Sequence, residues 1–515
     1  MGPHQDSSAV STAPARLVLL AVAGVLSCAL VPRSPAAENE SDKEAEQKAR
    51  KLVEALNADS YRLREQAQAE LIKLGPAAIG PLEEASRLPD TEIRRRAAAA
   101  LAEIRKSARD RATKAMRKNL LWKIPTPEGI ASGPVLAEGA ILYTTWDSRL
   151  HAVDAHTGKE LWRRTAEATS GLVVAERSVY LLDMARKLLA VDLRTGQLRN
   201  EFQSEAVYGT PTLSDGVIYV GGADFVFRAL EARTGKEIWR AELSGKVVHR
   251  VPPVVVGKRV YLAAADGGLR ALKADSGQGE WSVVAKGQIL DLVVHAGLVI
   301  ARWETGLHAF DAATGKAVWD YLLPRAVGGL AALRIQINGK DVTGFMGPAS
   351  DQTVALAGGV LYLSAGDRLV AVDAKTGKEM WAFQPDLKKQ PEEGGAKTVV
   401  VQGGAQAQAV VIVWHSGMAR VAAARLSAPA VAGGAVYFGS TEGLHALDPK
   451  SRQELWRFET PLAVAGRPVV ADGVVYFGTT KEVPFGAVRP AQQGQPQPPA
   501  EQPPGLYAVR LKAEH

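Results

Sequence analysis

The chain has 515 residues, 46% of them hydrophobic and 23% charged, with a formal net charge of +7 at pH 7. That balance excludes a disordered or collagen-like chain and leaves room for several domains or one large closed ring. A surplus this small over this length does not specify nucleic acid, and the single cysteine, Cys28, excludes an intrachain disulfide and Cys-based metal or redox chemistry.

Leu17 to Val31 reads LVLLAVAGVLSCALV, after Arg16 and before PRSPAAENE. Basic residue, short apolar run and small-residue tripeptide Ser34-Pro35-Ala36 follow in the order of a secretory signal, so residues 1–37 are read as a signal peptide. The run is shorter than the ~20 residues of a spanning helix, and no later segment qualifies. An exported protein of the periplasm or cell envelope is expected. Cys28, in Val25-Leu26-Ser27-Cys28, resembles a bacterial lipidation box with an unusual Leu before the Ser. Cleavage before it would leave a lipid-anchored chain; cleavage near Ala36 would leave a chain without cysteine.

Residues 38–119 carry no strand signal, and apolar positions recur at helical spacing. Ala45, Ala49, Leu52, Val53 and Leu56 mark one face. A second helix follows Asp59-Ser60 and stops at Leu74-Gly75-Pro76, a third carries Ile79 and Leu82, and a fourth starts after Pro89-Asp90. RLREQAQAELIKL from Arg62 matches EIRRRAAAALAEI from Glu92 at a period of 30, with Arg64/Arg94, Ala67/Ala97, Ala69/Ala99 and Leu71/Leu101 identical. This resembles HEAT-type helical repeats. The fourth helix carries Arg94, Arg95, Arg96, Arg105, Lys106, Arg109, Arg111, Lys114, Arg117 and Lys118, with a stripe of Ile93, Ala97, Leu101, Ile104, Ala108, Ala112 and Met116. Its basic side reads either as a solvated face or as a surface for anionic lipid or an acidic protein, with Arg94, Arg95, Arg96, Arg105, Lys106 and Arg109 as candidate contacts.

From residue 120 one pattern dominates. LHAVDAHTGKELW from Leu150 returns as LEARTGKEIW from Leu230, FDAATGKAVW from Phe310, VDAKTGKEMW from Val372 and LDPKSRQELW from Leu447. Each copy reads as two strands joined by a tight turn, with Asp capping it and Gly supplying positive φ. Eight units open at Pro134, Leu172, Pro211, Pro253, Leu292, Val354, Pro429 and Pro468, spaced 38, 39, 42, 39, 62, 75 and 39 residues apart. Four short strands (A to D) per ~40 residues mark a propeller blade. The eighth unit stops after strand C, at LYAVRL, while LLWKI from Leu120 precedes the first strand A. Docking residues 120–125 as the last outer strand would close a ring of eight and leave no orphan edge.

Ala152-x-Asp154 through Thr157-Gly158-Lys159 to Trp162, with its copies, resembles the tryptophan-docking repeat of quinoprotein-type (PQQ-like) β-propellers over residues 120–515. The expected fold is therefore mainly β: an eight-bladed propeller behind a short all-α module. The resemblance implies that Trp122, Trp162, Trp239, Trp281, Trp319, Trp381 and Trp456 anchor blade junctions, with turn glycines Gly158, Gly196, Gly235, Gly277, Gly315 and Gly377. The second blade has Asn200 in place of the Trp, and its junction is expected to be the weakest.

Quinone-dependent alcohol dehydrogenases of this kind have a longer propeller, a carboxylate-built calcium or lanthanide site and a vicinal cysteine pair. This chain has no cysteine pair and no spare length, so no catalytic residue, cofactor or metal is assigned; PQQ enters only under the alternative of an alcohol or sugar dehydrogenase. His151, His308 and His445 share one strand C position, which points to a structural slot. The long insertions 324–352, with Asn338-Gly339, 386–427 and the Pro/Gln-rich 483–504 all fall on the face of the D-to-A and B-to-C connections. That face also carries Asp147, Asp183, Asp224, Asp266, Glu304, Asp367, Glu442 and Glu482, either capping turns or forming a binding rim. Asp367, Glu442, Glu482 and the apolar Val410, Ile412 and Trp414 are the candidate partner contacts. The expected function is a non-catalytic, monomeric envelope scaffold that binds a partner protein, resembling the propeller lipoprotein of the outer-membrane β-barrel assembly machinery; a glycan or envelope-polymer binder is a further alternative, and nucleic acid is not expected.

Overall fold

In the computed structural model the described residues are 40–166, 171–183, 187–202, 207–222, 226–243, 251–264, 268–284, 289–303, 305–323, 334–337, 340–343, 353–387, 398–401, 410–413, 426–480 and 503–511. The expected signal peptide and Cys28 lie outside them. The chain divides into two units, Met1–Ile104 and Arg105–His515.

Four α-helices are described: α1 (Glu40–Glu54), α2 (Tyr61–Leu74), α3 (Ile79–Ala85) and α4 (Thr91–Met116). Gly75, at φ +65°, ends α2, and Asp90 caps α4 by accepting the Ile93 amide at 2.9 Å. Within the first unit Ala49, Leu56, Ala67, Leu71, Leu82, Ala97, Leu101 and Ile104 form one core. The residues matched at a period of 30 do matching work. Ala67 and Ala97, and Leu71 and Leu101, are buried, while Arg64 and Arg94 each reach a carbonyl six residues back, Ala58 O at 2.7 Å and Leu88 O at 3.4 Å.

The second unit holds eight four-stranded antiparallel sheets, each ordered A-B-C-D in chain sequence except the last. Blade 1 runs Ile130–Ala137, Ala140–Thr145, Arg149–Asp154 and Glu160–Thr165; blade 7 runs Ala430–Ala432, Ala435–Ser440, Gly443–Asp448 and Gln453–Glu459. In blade 8 strands Ala463–Ala471, Val474–Thr480 and Gly505–Arg510 are completed by Leu120–Pro125, with Trp122 opposite Ala508 and Ile124 opposite Leu506. The two ends of the repeat array thus share one sheet, and both edges that the array would otherwise leave open are paired. Two separate hairpins lie in the insertions: Arg334–Ile337 pairs Lys340–Thr343 across the Asn338-Gly339 signal, and Thr398–Val401 pairs Val410–Val413. The apolar run at Val410 and Ile412 therefore joins no blade sheet.

The docking repeat is explicit. In every blade the docking position faces an alanine across strands C and D: Trp162 faces Ala152, Trp239 Ala229, Trp281 Ala271, Trp319 Ala309, Trp381 Ala371, Trp456 Ala446, and Asn200 faces Ala190. A small residue there leaves room for the indole, which leans over the next blade's C-to-D turn. Trp122, Trp162, Trp239 and Trp281 lie over Gly158, Gly196, Gly277 and Gly315, and each donates Nε1–H to a turn carbonyl: Ala155, Leu193, Ala274 and Ala312, at 2.9–3.1 Å. The turn is built from within, since Asp154 Oδ1 accepts both the Thr157 amide at 2.8 Å and the Thr157 hydroxyl at 2.7 Å.

At blade 5 Trp319 lies over Gly377, but its Nε1–H has no hydrogen-bond partner among the described residues. Three further junctions depart from this plan. At blade 2 Asn200 Nδ2 donates to Arg233 O at 3.2 Å, and Phe202, 6% exposed, fills the place of the indole against Gly235. One tryptophan has been split into two residues, so the hydrogen bond and the ring contact are both kept at the junction expected to be weakest. At blade 6 the turn facing Trp381 carries Arg452 at φ +60° instead of glycine. Blade 8 has no C-to-D turn, and Trp456 instead packs in a core with Met116, Tyr437, Phe458, Phe477 and Tyr507, flanked by Ala112. Met116 and Ala112 come from the stripe of α4.

A Cβ at Gly277 would stand 2.4 Å from Trp239, whereas at Gly257, also at positive φ, nothing lies within 4 Å. Gly257→Ala should cost about 1 kcal/mol of backbone strain, and Gly277→Ala about 2–4 kcal/mol in chemical denaturation. Phe202→Ala should cost about 3–4 kcal/mol and Asn200→Ala about 1 kcal/mol by the same measurement.

Candidate functional site

The repeat topology places the D-to-A and B-to-C connections on one face of the propeller, and the insertions follow Leu322, Phe383 and Thr480, the ends of strands D, D and B. On this face the sequence reading missed Trp146. It sits in the B-to-C turn of blade 1, 62% exposed, with its amide bonded to Gly129 O at 3.2 Å. A Cβ at Gly129 would lie 3.2 Å from the indole and 3.7 Å from Thr480 Oγ1, so Trp146 stands beside the point where strand B of blade 8 ends. A tryptophan in a Trp-Asp-Ser turn, outside any docking position, is the signal that could have found it.

The described acidic positions of this face bond within the chain. Asp183 accepts the Lys187 amide at 2.8 Å, Asp367 the Gln384 side-chain amide at 2.5 Å, and Asp147 bonds to Thr145 and Arg149. Glu442 pairs with Arg457 at 2.8 Å with both side chains largely buried. Asp367 and Glu442, two of the candidate partner contacts, are thus engaged within the chain. Asp224, Asp266, Glu304, Glu482 and Trp414 lie outside the described residues, and of Val410 and Ile412 only the backbone is described.

Of the basic helix, Arg96 is 3% exposed and bound by Glu65, Glu92 and Gln68 at 2.6–2.9 Å, Arg95 chelates Glu92, and Arg94 holds Leu88 O. In the second unit Arg109 reaches Glu454 at 3.3 Å, and Arg105 is half-buried. Of these candidate contacts Arg96 is buried and ion-paired, Arg109 is ion-paired and partly buried, and Lys106 is exposed.

Blade 7 holds a dense polar cluster. Ser440 Oγ lies 2.6 Å from His445 Nε2, and His445 Nδ1 lies 2.6 Å from Glu454 Oε1. A carboxylate only accepts, so His445 Nδ1 is the donor to Glu454. Arg457 donates to Glu454 at 2.9 and 3.1 Å, and its amide donates to Thr113 Oγ1 of α4 at 3.2 Å. The Ser-His-Glu order has the spacing of a nucleophile triad. However, Ser440 and His445 are 0% exposed, and Ser440 Oγ also accepts the Glu442 amide at 3.0 Å. No substrate reaches such a hydroxyl. The same positions in blade 1 hold Thr145, His151 and Glu160, with Thr145 to His151 at 3.2 Å and His151 to Glu160 at 3.8 Å. The residue types recur at these strand B, C and D positions, but in blade 1 His151 Nδ1 has no hydrogen-bond partner among the described residues. Stacking supports the slot reading: His151 lies flat on Tyr143, His445 on Phe438 and Tyr507 on Phe477, at centroid distances of 4.8–5.2 Å.

Burial would raise the Glu454 carboxyl, but the hydrogen bonds from His445 and Arg457 outweigh it and bring its pKa to about 2. Asp291, on the inner strand of blade 5, is pushed by burial to about 6, against the hydrogen bonds that the Val354 and Leu292 amides donate to it. The inner strands of blades 1, 7 and 8 line a groove of about 350 Å³ with Pro134, Ala430, Val431, Ala432, Arg467, Pro468, Val469 and Val470. Arg467 is its one polar side chain. A quinone cofactor with its divalent cation needs carboxylates and several hydrogen-bonding groups, so this lining does not fit one. Among the described residues no three His, Cys, Asp or Glu side chains gather to hold a metal.

The family model described as outer membrane protein assembly factor BamB matches residues 106–206, 200–342 and 304–508. The chain belongs to this family. BamB of Moranella endobia is 26% identical over 261 residues, covering 45% of this chain and 61% of that protein. Quinohemoprotein alcohol dehydrogenase ADH-IIG of Pseudomonas putida is 29% identical over 145 residues, covering 23% of this chain and 20% of that enzyme. The chain therefore spans less than two thirds of either relative. The crystal structure of BamB from Moraxella catarrhalis matches with a TM-score of 0.51 at 15% identity, covering 76% of this chain and 99% of that chain, a likeness of fold.

The Glu454 carboxylate yields a signed prediction. A folded pKa of about 2 against the ordinary 4.5 stabilises the fold above pH 4.5, and that contribution is lost as pH falls towards 2. Wild type should therefore exceed Glu454→Gln by on the order of 3 kcal/mol in urea unfolding at pH 7, with the gap closing below pH 4. A gap independent of pH would contradict the assignment.

Proposed function

We propose that this protein is a non-catalytic exported scaffold whose eight-bladed ring presents its insertion face to a partner protein of the cell envelope. One observation carries the reading: the polar residues of the repeats are spent on turns, junctions and cross-strand relays, while all three long insertions and the exposed Trp146 share one face. Loops on a rigid scaffold commonly bind, and an exposed tryptophan is a favoured anchor. Membership of the assembly-factor family supports the same choice. In this reading the ring is monomeric, residues 1–37 direct export, Cys28 offers a lipid anchor, and no quinone is required.

The insertion can be removed cleanly only within limits set by the core. Leu387 and Leu426 pack against blades 6 and 7, and Ser427 bonds to the Gly439 amide at 2.8 Å. Deleting residues 388–425 should abolish partner capture from native-host envelopes while the thermal midpoint holds, and Trp146→Ala should weaken capture by about 2 kcal/mol, near thirty-fold. Capture unchanged in both variants would reject this face. Similarity to the dehydrogenase favours the rival reading, and dye-linked oxidation of alcohols or sugars by purified protein given quinone and calcium would establish it instead.

A further inference from the structure

The second half of α4, from Arg105, is fixed to the propeller by one side. Arg109 pairs with Glu454, Thr113 accepts the Arg457 amide, Met116 is 4% exposed in the blade 7 and 8 core, and Asn119 Nδ2 donates to Arg510 O at 3.2 Å. The other side is cationic. Lys106, Arg111, Lys114 and Lys118 are exposed, and none of them makes an ion pair or hydrogen bond among the described residues. Arg111, Lys114 and Lys118, three and four residues apart, share one side of the helix and its final turn. Asp110 is the one acidic residue between positions 105 and 118, and Arg109 lies 3.6 Å from it. Arg117 is matched by Glu459 and adds no net charge. Two leucines follow at the start of the outer strand of blade 8, Leu120 at 37% and Leu121 at 36% exposure.

We propose that this side of α4 binds the surface of an anionic phospholipid bilayer. A row of cations held at fixed positions by a rigid body, with no anion of its own, is complementary to a plane of phosphate headgroups. The neighbouring leucines suit shallow contact at the headgroup boundary. A fitted acidic protein would call for a concave seat, and the groove described above lies at the inner strands, lined by other residues. The inference is independent of the partner reading: vesicle binding and partner capture involve different residues and are lost in different variants.

The test is flotation of the full chain with vesicles of phosphatidylglycerol and phosphatidylethanolamine, set against phosphatidylcholine vesicles so that any leader or lipid contribution cancels. Wild type should partition at least roughly tenfold more strongly onto the anionic vesicles, and about 0.5 M salt should remove the preference. The triple variant Arg111→Glu, Lys114→Glu, Lys118→Glu should lose it with an unchanged thermal midpoint; Lys114→Gln with Lys118→Gln, which keeps the fold under least stress, should show an intermediate loss. Equal wild-type partitioning onto both vesicle types overturns the proposal, as does a triple variant that still prefers anionic vesicles. Retention of wild type on an immobilised polyglutamate peptide without a vesicle preference would likewise overturn it.

Discussion

An indole lying flat on a glycine of the next blade is the contact on which this ring depends. It constrains several positions at once. The turn must place a glycine at φ near +70°, since at Gly158 or Gly196 a Cβ would come within 2.8 Å of the ring. Strand C must offer alanine opposite the indole, and at four junctions a turn carbonyl also accepts Nε1–H. The Asp and Thr of the repeat hold the turn in the shape that receives the ring. A motif whose Asp, His, Thr and Lys look like reaction chemistry is thereby accounted for as hinge and anchor chemistry.

The departures follow the same requirement. Asn200 and Phe202 divide between them the hydrogen bond and the ring face of the missing tryptophan. Arg452 adopts positive φ where glycine is absent. Where blade 8 lacks a turn altogether, helix α4 supplies Met116 and Ala112 as cover for Trp456, and the blade 7 relay of Ser440, His445, Glu454 and Arg457 supplies the polar fastening. The helix ahead of the propeller thus completes the ring where a turn is missing. Its basic residues divide accordingly, Arg109 and Arg117 to fastening and Arg111, Lys114 and Lys118 to the outside.

Much of this was legible in the sequence because repetition exposes it. Eight units, the closing strand at 120–125, the helices with their apolar stripe and the placement of the insertions could be read from spacing and turn chemistry alone. Partnership across the fold could not. Nothing in Glu442 or Arg109 as letters shows that Arg457 and Glu454 wait opposite them, and Phe202 looks unremarkable until Gly235 is seen beneath it. Strand A also begins earlier than its Pro signal in blades 1, 3 and 8, where a register shift lets it continue past Ser132, Tyr208 and Ala465. Periodicity cannot report a bulge. Trp146 escaped notice because ten tryptophans invite one explanation, and this one does not share it.

The central claim is that function resides in the insertion face of a ring whose repeats are structural. Cross-linking of the intact protein in envelopes of its native host, with attached proteins identified and linked residues mapped, tests it most directly. The account predicts a defined partner protein linked through the insertions and the neighbourhood of Trp146. Links confined to the opposite face, at Lys159, Lys236, Lys316 and Lys378, would contradict it.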